Sequence, residues 1–180
     1  MKPRRTIIVA TFSILQIASV ASAQESSASG LAQAQVIEGI SVTSLEDMRF
    51  GPVAVSSVVE GQVILEPSSG VVRYHGGASE ICANELPCKT GPAIFVVRGE
   101  ANRNYNIFLP NDLEALGTKT GQVLPVTDLS IAAGGLVSDN RSRLNGAGED
   151  LVHVGGTLWV PASTSPDRFT ASFTVSVIYD

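Results

Sequence analysis

Histidine is scarce in this 180-residue chain, with only His75 and His153. Neither stands in a His-Glu-x-x-His pair, and the chain has no Gly-x-Ser-x-Gly elbow and no phosphate-binding glycine loop. Without those constellations the sequence gives no nucleophile–base pair, so a non-enzymatic protein that needs no cofactor is expected. Asp128, Asp139, Asp150 and Asp167 are scattered without the ligand spacing of a calcium loop. Positive charge is also scarce: 12 Lys and Arg stand against 17 Asp and Glu. An acidic chain has no electrostatic attraction to nucleic acid. Beyond the first twenty or so residues no apolar run approaches the roughly 20 residues that a membrane-spanning helix needs.

The opening residues, "MKPRRTIIVATFSILQIASVASAQE", carry three basic residues, then a short apolar stretch, then Ala21-Ser22-Ala23. This order is that of a secretory signal peptide cleaved after Ala23. The expectation is a signal over residues 1–23 and a single exported domain over 24–180, beginning with a flexible segment over about 24–31. Losing Lys2, Arg4 and Arg5 moves the net charge from −5 to −8. Export places the protein in the periplasm, at the cell surface or outside the cell. There the two cysteines of "ICANELPC", Cys82 and Cys88, are expected to form a disulfide. Cys-x5-Cys with the distant His75 lacks the spacing of a zinc site, and no metal is expected.

What is abundant is Ser, Thr, Gly and Val, the composition of an extracellular β-protein. "GQVILEP" and "GVVRYHG", separated by Pro67-Ser68-Ser69-Gly70, read as a hairpin. "AIFVVRG" and "NYNIFLP" read as a second pair joined by "EANRN". "VLPVTDLSI" reads as a strand that Pro125 makes an edge or a bent one. "NDLEALG" is the one place for a helical turn, and "LVHVGGTLWVPA" reads as two half-strands bent at Gly155-Gly156. Short strands with turn punctuation and no helix of normal length predict an all-β, antiparallel sandwich. Trp159 fits either the core or a face that stacks on a sugar ring.

The last residues, "DRFTASFTVSVIYD", alternate most regularly. Phe169, Ala171, Phe173, Val175, Val177 and Tyr179 fall on one face, and Thr170, Ser172, Thr174 and Ser176 on the other. That period of two predicts one core-facing strand with Ile178 alone on the wrong side. Near the start, Ala32, Ala34 and Val36 share a parity that resumes at Ile40 and Val42.

"LEDMRFGPV", "IFVVRGEANRNYNIFLP", "LVHVGGTLWVPA" and "FTASFTVSVIYD" occur in the order in which they stand in an exported bacterial family catalogued as domain of unknown function 4402. The chain resembles that family over nearly all of residues 24–180. The family is similar in layout to spore coat protein U domains and to chaperone–usher pilin subunits. The resemblance implies an immunoglobulin-like, pilin-like sandwich at the cell surface, with no catalytic residues to carry over. It also implies possible partners: copies of itself or other pilus subunits, with a periplasmic chaperone and usher. Tyr179 matches the penultimate aromatic of pilin subunits, whereas Asp167 stands where they carry a glycine.

A sandwich that ends on its best strand presents an open edge, and such edges accept strands from other chains. Ala32, Ala34 and Val36 are then either a donor strand for another subunit or the domain's own first strand. Two functions follow. One is a surface structural or adhesion subunit assembled by donor-strand exchange. The other is a self-complete, monomeric secreted binding module such as a lectin-like adhesin.

Overall fold

The computed structural model describes residues 31–81 and 89–180. The chain divides into two units, Met1–Gln35 and Val36–Asp180. Of the first, the described residues 31–35 are exposed and have no regular structure. The second is all-β, antiparallel and sandwich-like, with no helix among the described residues.

Its strands are β1 (Ser41–Glu46), β2 (Val53–Val55), β3 (Gly61–Leu65), β4 (Val72–Gly76), β5 (Ala78–Glu80), β6 (Ala93–Arg98) and β7 (Asn104–Phe108). They continue with β8 (Leu113–Gly117), β9 (Val123–Ala133), β10 (Arg141–Arg143), β11 (Glu149–Val160), β12 (Phe169–Thr170) and β13 (Ser176–Tyr179). The large sheet runs β1-β6-β11-β9-β8-β12, with β3 also on β11 and β4 on β3. The second sheet is β10-β7-β13, and β2 and β5 form a small ribbon.

β11 organises the large sheet. Residues 149–154 pair with β6 and residues 156–160 pair with β3, while β9 runs along the other edge. The change of partner falls at Gly155-Gly156. A Cβ on Gly155 would lie 2.2 Å from the Leu65 carbonyl oxygen, and one on Gly156 would lie 2.9 Å from Leu129 Cδ2. The glycine pair therefore makes room for β3 where β6 leaves, instead of dividing β11 into the two half-strands expected. Opposite it, β9 bulges between its partners of Gly155 and Thr157, and Asp128 adopts φ 53°.

Two apolar clusters fill the sandwich. One is built around Val63, Leu124, Val126 and Val160, the other around Val97, Tyr105, Ile107, Val152 and Val154. Met48 and Phe173 pack against both. Each fully buried Val or Ile contributes roughly 1.5–3 kcal/mol, which is why the strands at the centre are β-branched on their inner faces.

Other expectations need correction. "LEALG" is strand β8, not a helical turn: Leu113, Ala115 and Gly117 are buried and Glu114 and Leu116 exposed, a period of two that outweighs helix propensity. β6 and β7 do not pair; "EANRN" carries the chain from one sheet to the other. Pro125 is not on an edge strand, since β9 lies between β11 and β8, and the bend comes at Asp128. The hairpin of β3 and β4 forms as expected, with Gly70 at φ 67° in its turn.

Candidate functional site

The C-terminal stretch is two short strands, not one. β12 adds to β8 in the large sheet, and β13 adds to β7 in the second sheet. Residues 171–175 cross between the sheets without a backbone hydrogen bond among the described residues. Val175 is buried, Phe169, Phe173, Val177 and Tyr179 are half-buried, and Thr170, Thr174 and Ser176 are exposed. Ala171 is the exception and is exposed. Ile178, the odd apolar residue, is 56% exposed on the outer face.

β13 is the last strand of its sheet, with β7 on one side and no strand on the other among the described residues. Backbone direction follows from the ladder. Arg168 C=O accepts from Thr118 N, and Asp180 N donates to the Asn104 carbonyl. Within β12 and β13, even-numbered residues therefore turn their N–H and C=O toward β8 and β7, and odd-numbered residues turn theirs toward the free edge. β1, at the other end of the large sheet, approaches β13. The apolar side chains along this border are only half covered: Ile40, Val42, Met48, Phe95, Phe173, Val177 and Tyr179. Phe95 and Phe173 meet edge to face with centroids 5.9 Å apart.

Tyr179 clamps the end of β13. Its hydroxyl accepts from Glu100 N at 2.6 Å and donates to the Glu38 carbonyl at 3.0 Å. Arg103 lies 4.8 Å over the ring and pairs with Glu100. A Cβ on Gly99 would lie 2.1 Å from the Tyr179 hydroxyl, so glycine is required there. Asp180 bonds Asn106 and pairs with Arg141. The residues leading to this clamp, Ala32, Ala34 and Val36, are exposed and outside every strand, and Val36 is 95% exposed. The domain's first strand begins at Ser41.

Two aspartates have roles the sequence did not disclose. Asp150 is buried and accepts from the Tyr105 hydroxyl at 2.9 Å and the Ser142 hydroxyl at 2.6 Å. Burial, reinforced by that carboxylate, raises the Tyr105 pKa. This trio joins β7, β10 and β11 in the interior; Ser142 and Tyr105 are fully buried, so neither meets a substrate. Asp167 holds the β8–β9 turn. Its carboxylate accepts from Thr120 N, Lys119 N, Arg168 N and the Thr118 and Thr120 hydroxyls. Backbone donation, from Thr120 first, holds its carboxyl well below the usual carboxylate range. Gly117 leaves room for this clasp: a Cβ there would lie 2.7 Å from Asp167 Oδ2.

Trp159 is half-buried, not core, and donates Nε1–H to Thr127 Oγ1 at 3.0 Å. No group of three or more His, Cys, Asp or Glu able to hold a metal occurs among the described residues. Cys82 and Cys88, and the expected signal and flexible segment up to residue 30, lie outside the described residues.

No curated protein and no solved structure matches the chain. The family model described as a domain of unknown function (DUF4402) matches residues 40–179, from just before β1 to the end of β13. The chain belongs to that family.

Proposed function

We infer that this protein is an exported, non-enzymatic structural or adhesion subunit of the cell surface that assembles by strand addition. In this reading residues 31–37 of one copy pair with the outer edge of β13 in the next. Ala32, Ala34 and Val36 enter the half-covered border between β13 and β1. A periplasmic chaperone and an usher are the partners that such a pilin-like route implies. Cys82 and Cys88 form a disulfide that closes a short loop, worth about 2–3 kcal/mol.

The observation that carries the reading is a pairing of opposites. Among the described residues the edge of β13 has backbone groups without a partner and apolar side chains only half covered, and the segment before Glu38 has alternating apolar side chains without a strand to pair with. A self-complete monomeric binding module is the second reading, favoured by the half-exposed indole of Trp159 on the outer face of the large sheet.

Deleting residues 24–36 separates the two. A strand-exchanging subunit then loses the ability to extend polymers while still folding. Surface extracts lose the ladder of species that collapses on boiling in non-reducing electrophoresis. A full-length protein that runs as a monomer with and without boiling contradicts assembly.

A further inference from the structure

The C-terminal segment has a second side, and it is open for a different reason. Where residues 171–175 leave β8 to join β7, the two sheets part and leave a wedge-shaped groove of about 650 Å³. It faces β7 and β8, opposite the free edge of β13. Leu113 and Phe173 line it together with Phe108, Leu109 and Pro110, and Phe108 is 52% exposed.

The ladder geometry defines what the groove presents. Leu116 and Thr118 of the β8 strand bond toward the C-terminal segment, at Thr170 and Arg168. By the two-residue period of an antiparallel ladder, Glu114 turns its N–H and C=O the same way, into the groove. Ser172 and Thr174, both exposed on the crossing segment, line the opposite wall. None of these three has a backbone partner on that side among the described residues. The groove thus combines apolar lining, residues on both walls without a backbone partner among the described residues, and two acidic side chains. Among the described residues Asp112 and Glu114, both exposed, are its only ionised lining residues, with no Lys, Arg or His among the rest.

We propose that this wedge is a docking site for a short extended peptide segment of another protein, carrying Lys or Arg beside an apolar residue. Backbone pairing to Ser172, Thr174 and Glu114 fixes the segment, the apolar residue meets Leu113 and Phe173, and the cation meets Asp112 and Glu114. The protein's own residues 31–39 do not fit this description. They contain no Lys or Arg, and their one charge is Glu38. The wedge shares Phe173 with the border of β13 but takes a different occupant, and it does not rest on strand exchange.

The test uses the full chain and two acetylated, amidated hexapeptides, one alternating Lys with Val and one alternating Glu with Val. The Lys peptide is expected to slow amide exchange at Glu114, Ser172 and Thr174. The exposed double variant Asp112→Asn, Glu114→Gln should bind it roughly tenfold more weakly, the loss of two partly screened ion pairs. Deleting residues 24–36 should leave this binding unchanged, which separates its failure from failure of strand exchange. No binding by the Lys peptide, equal binding by the Glu peptide, or protection at odd-numbered residues of β13 overturns the proposal. So does a peptide of residues 27–39 that protects Glu114.

Discussion

β11 and the C-terminal segment are comparable in length and patterning, and the fold treats them oppositely. β11 has β6 and then β3 along one edge and β9 along Val152–Leu158 of the other, and its residues from Val154 to Leu158 are all buried. The C-terminal segment is paired on one edge only, and its middle five residues on neither. Alternation in sequence tells which face a side chain takes, because that depends on local pleat. It says nothing about whether the backbone beside it finds a partner. Backbone pairing depends on the glycines that admit a neighbour and on where the sheets part, and those are properties of distant residues.

The comparison is broken most severely at β11. Gly155→Val places side-chain atoms against the Leu65 carbonyl at the junction of β3 and β6. It should abolish the cooperative thermal transition followed by far-UV circular dichroism. A variant that melts within a few degrees of the wild type would mean that the junction is not tightly packed.

The next effect is at the C-terminal segment. Phe173→Asp sets an unpaired carboxylate between the two apolar clusters and should lower stability by about 3–5 kcal/mol in urea titration. Thr174→Asp, one residue on and exposed, should stay within about 0.5 kcal/mol of the wild type. Equal losses at the two positions would refute the assigned faces.

The smallest effect is electrostatic and pH-dependent. Asp167 has its folded-state pKa depressed by backbone donors, so its contribution is fully present above the unfolded carboxyl value of about 4 and is lost as pH falls through the folded value. Asp167→Asn should lower the Tm slightly at pH 7, and the difference from wild type should shrink below about pH 4. A difference that persists unchanged at pH 2 would show that the clasp does not depend on the charge.

Much of this fold is legible in the residues. The β3–β4 hairpin, the strand at "AIFVVRG" and the inward set Phe169, Phe173, Val175, Val177 and Tyr179 all follow from period and turn chemistry. What could not be read has a common cause. "LEALG" looks helical by composition and is a strand because Leu113 and Ala115 meet a core assembled from elsewhere. Asp150 and Asp167 look like surface acids, and their roles exist only where Tyr105 and Ser142, or Thr118, Lys119 and Thr120, are brought to them by the fold. The split of the last strand is likewise invisible, since nothing in "TASFT" marks the point where one sheet gives way to the other.

The account turns on whether the outer edge of β13 accepts a strand. The direct measurement is residue-resolved amide exchange on the protein lacking residues 24–36, with and without a synthetic peptide of residues 27–39. Strand addition predicts slowed exchange at Val177 and Tyr179, whose N–H groups face the free edge, with Ser176 and Ile178 little changed because they already bond β7. Unchanged exchange at Val177 and Tyr179 under saturating peptide would contradict it.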